Sequence, residues 1–263
     1  MTIRVGVFGA GGRMGATVCR AVSADPELEL VAAVDPMFDG IDVCEVTGVT
    51  NCRFSVAGSP RAFLEARVDV VIDFTQIDAS RENLKFCAAN KINAVVGTSG
   101  FTEADHDAIA AQFTGSNCLI APNFAIGAVL MMRFAELAAP FFDTAEIVET
   151  HHDGKVDAPS GTAVATAERM ALASPDWAPD PTTSFTIEGA RGAKGPAGIA
   201  IHSVRMRGMI AHQEVILGTA GQSLTIRHDS YDRDSFMPGV MLAAKRIGDT
   251  PGLSVGLDQV MGI

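Results

Sequence analysis

The amino-terminal stretch of this chain decides its fold. Residues 3–15 read IRVGVFGAGGRMG, an apolar run followed by a glycine-rich turn. The run 3–8 predicts a buried strand, and the residues after the turn predict a helix to about Ser23. Glycines between a strand and a helix let the backbone turn tightly and approach a pyrophosphate, which the helix N-terminus attracts. The stretch therefore predicts a dinucleotide site; the alternative is an ordinary tight turn.

Residues that contact a dinucleotide are expected at three more places. The strand predicted at Leu28–Asp35 ends on an acid, and a carboxylate at that position can accept the ribose hydroxyls. Pro36 follows in place of a basic residue, which favours NADH over NADPH, although Arg13 could partly compensate for the missing charge. Two later strand ends should line the nicotinamide, unless they are plain turns. The predicted cofactor-binding residues are Gly9, Ala10, Gly11, Gly12, Arg13, Met14, Asp35, Gly97, Thr98, Ser99, Ala121, Pro122, Asn123 and Phe124.

Secondary-structure patterns divide the chain into two parts. Strands alternate with helices up to Asn123, one helix being expected at Phe101–Phe113 with Thr102 as its N-cap. Beyond it, Phe124–Phe141 predicts one long buried helix, and later stretches alternate apolar and polar residues as mixed strands do. The prediction is an α/β protein, a Rossmann-like doubly wound parallel sheet plus a second α+β domain with a mixed sheet. The dinucleotide-binding domain is expected at 1–123 and 235–263, and the substrate-binding domain at 124–234.

Composition narrows the possible partners. The 263 residues carry 20 Lys and Arg against 31 Asp and Glu, a net charge of −11, which argues against a nucleic-acid partner. The five cysteines form no CxxC pair, so free thiols in a reducing compartment are expected and no structural zinc site. No apolar run is long enough to span a membrane, and no signal peptide is evident. The cytoplasm is the expected location.

A second informative stretch, residues 149–163, reads ETHHDGKVDAPSGTA. It combines two candidate proton donors, His151 and Lys155, with acids that can orient them, Asp157 or Glu149. Adjacent strand residues point to opposite faces, so His151 and its neighbour should not form a metal site. The turn Ser160, Gly161 and Thr162 should open a helix over Ala163–Ala173, whose N–H groups suit a carboxylate. The segment therefore predicts a small dianionic substrate that becomes protonated; the alternative is that the histidines are structural.

These stretches together resemble the dihydrodipicolinate reductases of lysine and diaminopimelate biosynthesis. The family signature E-x-H-x-x-x-K-x-D-x-P-S-G-T-A is matched without a gap from Glu149 to Ala163, and further matches span nearly the whole chain. The resemblance implies NAD(P)H-dependent reduction of 4-hydroxy-tetrahydrodipicolinate to tetrahydrodipicolinate. It implies that His151 and Lys155 are catalytic and that His152, Gly161 and Thr162 hold the substrate carboxylates. It also implies a homotetramer joined through the sheets of the second domains.

The sequence departs from the family pattern at two positions, and two functions other than that of the reductase are also compatible with a dinucleotide site. Pro36 replaces the basic residue with which some members bind NADPH, and Gln222 replaces a common Glu. An imine or amino-acid dehydrogenase similar to aspartate dehydrogenase is one alternative, and the pattern from Lys155 to Thr162 argues against it. The other is a non-catalytic nucleotide sensor, which leaves the clustered histidines and lysine without a role.

Overall fold

The computed structural model describes residues 2–263. The chain divides into two compact units. The first contains residues up to Phe124 together with Phe236–Ile263, and the second is Ala125–Ser235. Among the described residues, no helix is both long enough and apolar enough to cross a membrane.

The order of strands and helices along the chain differs between the two units. In chain order the strands are β1 (Ile3–Phe8), β2 (Leu28–Val34), β3 (Val70–Asp73), β4 (Asn93–Val96), β5 (Cys118–Ile120), β6 (Thr144–His151), β7 (Ala193–Lys194), β8 (Ala200–Arg205), β9 (Ala211–Thr219), β10 (Gln222–Ser230) and β11 (Leu253–Val255). The helices are α1 (Arg13–Ala24), α2 (Val43–Thr47), α3 (Arg61–Glu65), α4 (Ile77–Ala89), α5 (Glu103–Gln112), α6 (Ile126–Ala138), α7 (Gly161–Ala173), α8 (Met237–Arg246) and α9 (Asp258–Met261). Short 3₁₀ turns lie at Pro36–Phe38, Ala139–Phe141, Pro196–Gly198, Arg233–Phe236 and Ile247–Asp249.

The first unit is built on a six-stranded sheet in the order β11-β5-β4-β3-β1-β2. All its pairings are parallel. Its central strands are short apolar runs, and side chains such as Val7, Ile72 and Val95 are fully buried. Parallel strands need crossover connections, and the helices between them cover the sheet. The carboxyl ends of β1, β3, β4 and β5 consequently meet along one edge.

The second unit carries a five-stranded mixed sheet in the order β10-β9-β6-β8-β7. Strand β6 pairs parallel with β8 and antiparallel with β9. Alternate residues of the central strands are buried, among them Ile147, Val215 and Leu217. These two sheets confirm the predicted fold class.

Several local predictions were confirmed and others were wrong. Thr102 caps α5, and its hydroxyl accepts a bond from the Asp105 N–H. The single buried helix expected at Phe124–Phe141 is wrong in length and in burial. Helix α6 ends at Ala138, before a 3₁₀ turn that contains Pro140, because proline breaks the helical bonding pattern. Phe134 is half exposed. The short elements α2, α3, β7, β11 and α9 were not predicted.

Candidate active site

The glycine turn joins β1 to α1 in the first unit. Gly9 has a φ of +68°, which favours glycine. Its carbonyl accepts a bond from the Gly12 N–H at 3.0 Å, and a Cβ on Gly15 would lie 2.0 Å from the same oxygen. Within residues 2–263, no side chain caps the start of α1 and no acid lies in its first turn. The N-terminal dipole of α1 is therefore available to an anion beside the predicted residues 9–14.

Asp35 lies against this turn. Its carboxylate accepts the Gly11 N–H at 2.9 Å and the Met37 N–H at 3.1 Å. The ring of Phe38 packs against Gly11, since a Cβ on Gly11 would lie 2.1 Å from a carbon of that ring. Asp35 is thus fixed beside the glycines, while Phe38 is a neighbour that the sequence did not single out.

The ends of β4 and β5 form the next part of the same edge. A Cβ on Gly97 would lie 2.0 Å from the Phe74 ring, so only glycine allows the two to pack. The Thr98 hydroxyl donates to the Thr75 carbonyl at 2.9 Å, and the Phe74 and Phe124 rings are 5.8 Å apart. Ser99 follows in the same loop, and residues 121–123 follow β5. The structure thus brings both predicted loops to the edge that carries the glycine turn.

In the second unit, His151 ends strand β6 and meets Glu149, two residues earlier on the same face. Its Nδ1 lies 2.6 Å from a Glu149 carboxylate oxygen. Glu149 is completely buried. It also accepts two bonds from the Arg205 guanidinium, at 2.8 and 2.9 Å, and one from the Ser160 N–H at 3.1 Å. One buried carboxylate thus links a histidine, an arginine and the start of helix α7.

The pKa values of this pair follow from burial and charge. Burial acts to raise the pKa of Glu149, but hydrogen bonds led by those from Arg205 lower it overall. Burial lowers the pKa of His151, against the opposing effect of Glu149, and the charges of Lys155 and Arg205 lower it further. The arginine already balances the Glu149 charge, so this carboxylate does not make the imidazole a strong base. In the protein alone His151 is therefore neutral at pH 7, with Nε2 as the nitrogen not held by Glu149.

Lys155 and His152 belong to the loop after β6. The Lys155 ammonium lies 2.8 and 2.7 Å from the two carboxylate oxygens of Asp157. His152 is exposed, and its carbonyl accepts the Lys155 N–H at 3.2 Å. The Asp157 carbonyl accepts a bond from Arg205 at 2.7 Å. Lysine and histidine therefore have separate acidic partners, joined through one arginine.

Helix α7 begins beside this network. Ser160 is its N-cap, with the hydroxyl accepting the Ala163 N–H at 3.2 Å. The helix starts at Gly161, two residues before the predicted start, so Gly161 and Thr162 form its first turn. In the described part of the chain, this first turn contains no acid. The start of α7 is thus a second place where a helix dipole favours an anion.

Arg205 is the residue of this site that the sequence reasoning missed. It lies opposite His151 in the parallel pairing of β6 with β8. That pairing joins residues 54 positions apart, so the chain order contains no signal for it. His202, by contrast, pairs with Glu146 at 2.6 Å, outside this network. Residues 2–263 contain no group of three or more acids, histidines and cysteines placed to hold a metal.

Comparison with known proteins decides the family. Two family models match, the dihydrodipicolinate reductase N-terminus at residues 3–124 and the C-terminus at 127–261. The chain belongs to the dihydrodipicolinate reductase family. A 4-hydroxy-tetrahydrodipicolinate reductase of Corynebacterium urealyticum is 48% identical over 99% of both chains. One of Nocardia farcinica is 48% identical over 100% of both. The dipicolinate-bound dihydrodipicolinate reductase of Paenisporosarcina sp. TG-14 superimposes with a TM-score of 0.86 at 39% identity, covering 98% of this chain and 99% of that one.

Membership of the dihydrodipicolinate reductases confirms the predicted family and activity. The protein is an NAD(P)H-dependent oxidoreductase of lysine and diaminopimelate biosynthesis that reduces 4-hydroxy-tetrahydrodipicolinate. The two alternative functions are not favoured. An amine dehydrogenase of Mycobacterium smegmatis has a TM-score of 0.66 at 12% identity, which indicates a shared fold only.

Proposed function

We propose that the first unit binds the dinucleotide and that the second binds and protonates the cyclic dicarboxylate substrate. The observation that carries this assignment is the 2.6 Å contact of His151 with the buried Glu149. A histidine held by a carboxylate through Nδ1 presents Nε2 in a fixed direction, as a general acid requires. When bound, the reduced nicotinamide supplies a hydride to C4 of the substrate ring.

His151 is the proton donor in this proposal, although its pKa is lowered in the protein alone. A dianionic substrate brings two negative charges to the site and raises the pKa of the imidazole. The proton is thus stabilised on Nε2 when a substrate is present to receive it. Lys155 is the second catalytic cation, exchanging part of its pairing with Asp157 for a substrate carboxylate.

The substrate carboxylates bind at the first turn of α7. Gly161 contributes its backbone N–H without a side chain, and among residues 2–263 no atom beyond its chain neighbours and its own helix backbone lies within 4 Å of the position of a Cβ there. Ser160, Thr162 and His152 complete the set. A dicarboxylate is also the class of ligand named for the related Paenisporosarcina structure, which holds dipicolinate.

The cofactor residues fit a dinucleotide and favour NADH. The turn 9–14 provides N–H groups and a helix dipole for the pyrophosphate, and the loops 97–99 and 121–124 line the nicotinamide. Asp35 is fixed by two backbone N–H groups and can accept ribose hydroxyls, whereas a 2′-phosphate there would meet its negative charge. Pro36 provides no cation to balance such a phosphate.

Pro36→Arg should lower the Kd for NADPH about tenfold, because an arginine there can form a charge-assisted hydrogen bond to the 2′-phosphate. Titration calorimetry measures this Kd. An unchanged Kd would contradict the role of this position.

We further propose a homotetramer joined through the sheets of the second unit, located in the cytoplasm. Strand β10 is an edge strand with Leu224 exposed, which supports association there. Light scattering should give about four times the chain mass of 27.5 kDa.

The cysteines bear on the proposed location. All five cysteines are free thiols, as suits a reducing compartment. Cell fractionation tests the location.

The catalytic assignment is tested with purified protein and freshly generated 4-hydroxy-tetrahydrodipicolinate, by following the nicotinamide absorbance. The wild type should oxidise NADH faster than NADPH at low cofactor concentration. His151→Gln should lower kcat by about 100-fold or more, because general acid catalysis contributes about that much. His202→Gln is the matched control and should retain kcat. A wild-type kcat in His151→Gln would overturn the assignment.

A further inference from the structure

Asp73 is a buried carboxylate where the carboxyl ends of the first sheet's strands meet, and no cationic side chain among residues 2–263 pairs with it. Asp73 ends β3 and is 1% exposed. Its oxygens accept the Thr75 N–H and the Thr75 hydroxyl, both at 2.7 Å, and the Asn83 amide at 2.9 Å. All three donors are neutral. Within residues 2–263, no lysine, arginine or histidine forms an ion pair with it, so only neutral donors contact the carboxylate there.

The charge of Asp73 acts on the interior of the first unit. Burial is the main cause that raises the pKa of the Cys87 thiol, and the Asp73 charge is the next. The pKa of Cys118 is raised by burial, by Cys87 and again by Asp73. The Asp73 charge thus acts on one helix, α4, and on one strand, β5, through the protein interior, where charges are weakly screened.

Asp73 also lies close to the loops that line the nicotinamide. Its backbone carbonyl accepts the Gly97 N–H at 2.9 Å. Thr75, which donates twice to the carboxylate, accepts the Thr98 hydroxyl and would lie 2.9 Å from a Cβ on Gly9. One residue therefore separates the carboxylate from both the 97–99 loop and the glycine turn.

We propose that Asp73 is an electrostatic positioning residue that favours the oxidised, cationic nicotinamide over the neutral reduced ring. Loss of a hydride turns the ring into a cation, and a fixed negative charge nearby stabilises that cation. Asp73 thereby makes hydride donation more favourable without touching the substrate. The inference rests on the proposed placement of the nicotinamide at residues 97–99 and 121–124.

The measurement is the ratio of the Kd for NAD⁺ to the Kd for NADH, by titration calorimetry on the full-length protein. Asp73→Asn should raise this ratio about tenfold, as expected for unit charges about 10 Å apart at an effective dielectric constant of about 20. The Kd for NADH should change little. The Asn83 amide can turn to accept a bond from the new amide, so the hydrogen bonds can be kept.

A second variant neutralises the charge without replacing Asp73. Asn83→Lys places an ammonium beside the carboxylate, on a partly exposed helix position, and should raise the ratio in the same direction. The control is Asp69→Asn, which removes a charge four residues earlier, before the opposite end of β3, and should leave the ratio unchanged.

The outcomes separate this inference from the proposed function. Equal changes in both Kd values for the Asp73 and Asn83 variants would mean that Asp73 only shapes the turn, and the inference would be overturned. Failure of the wild type to bind either nucleotide would overturn the proposed cofactor site itself. An equally large change of the ratio in Asp69→Asn would show that net charge acts, and would also overturn the inference.

Discussion

The two candidate sites of this protein differ in the chemical groups that form them: backbone groups in the first unit and charged side chains in the second. The glycine turn of the first unit is made of backbone, and its requirement is the absence of side chains at Gly9, Gly11 and Gly15. The site of the second unit is made of charged side chains joined at one buried carboxylate, Glu149. A site of the first kind fails when an atom is added, whereas a site of the second kind fails when a charge is lost. The following variants test this distinction.

The largest effect is expected at Glu149. Glu149→Gln leaves the Arg205 cation without its carboxylate, which should lower the free energy of unfolding by about 3 kcal/mol in urea denaturation. It should also lower kcat, because His151 loses the negatively charged carboxylate that holds its Nδ1 and stabilises the protonated imidazole. The double variant Glu149→Gln/Arg205→Met should regain part of the stability while kcat stays low. Wild-type stability in the single variant would contradict the role of Glu149 as the centre of the charge network.

Removal of one catalytic cation should have the next largest effect. Lys155→Met should raise the substrate KM about tenfold to 100-fold, since a hydrogen bond to a charged group contributes about 1.5–3 kcal/mol. The Kd for NADH should not change. Lys194→Met, at an exposed lysine of the same unit, is the control. A KM that rises equally in both variants would show that only the overall charge matters.

An added methyl group tests the backbone site. Gly11→Ala should raise the Kd for NADH about tenfold, because the new Cβ would lie 2.1 Å from the Phe38 ring and displace the turn. Phe38→Ala in the same chain should restore part of the affinity by making space. Gly161→Ala should leave NADH binding unchanged, because the added Cβ would contact no described atom beyond its chain neighbours and its own helix backbone within 4 Å. No rescue by Phe38→Ala would show that the ring is not the obstacle.

The smallest effect concerns pH. The pKa of His151 is lowered from 6.5, so the protonated donor of the free enzyme is lost as pH rises through a value below 6.5. The ratio kcat/KM, which reports the free enzyme, should therefore fall over that range. In kcat, which reports the substrate complex, the same fall should occur at higher pH because the dianion raises the pKa. Coincident profiles would contradict the proposed effect of the substrate charge.

Sequence and structure agree best where the signal is local. The strand, turn and helix of residues 3–24 are contiguous, so glycine spacing and apolar pattern suffice to predict them. The capping of α5 by Thr102 is equally local. The end of α6 was misjudged, although Pro140 was visible, because the apolar pattern continues through the proline to Phe141. The short strand β11 was missed because three residues carry no usable period.

The sequence by itself determined the family, the parallel first sheet and the segment that carries His151 and Lys155, since motifs and the alternation of strands with helices are patterns that can be read along the chain. Only the tertiary structure decided that Glu149 is shared by His151 and Arg205, and that within residues 2–263 Asp73 receives hydrogen bonds from neutral donors alone. The physical reason is that strand pairing and burial join residues far apart in the chain. Those long-range contacts set the charge that each group experiences.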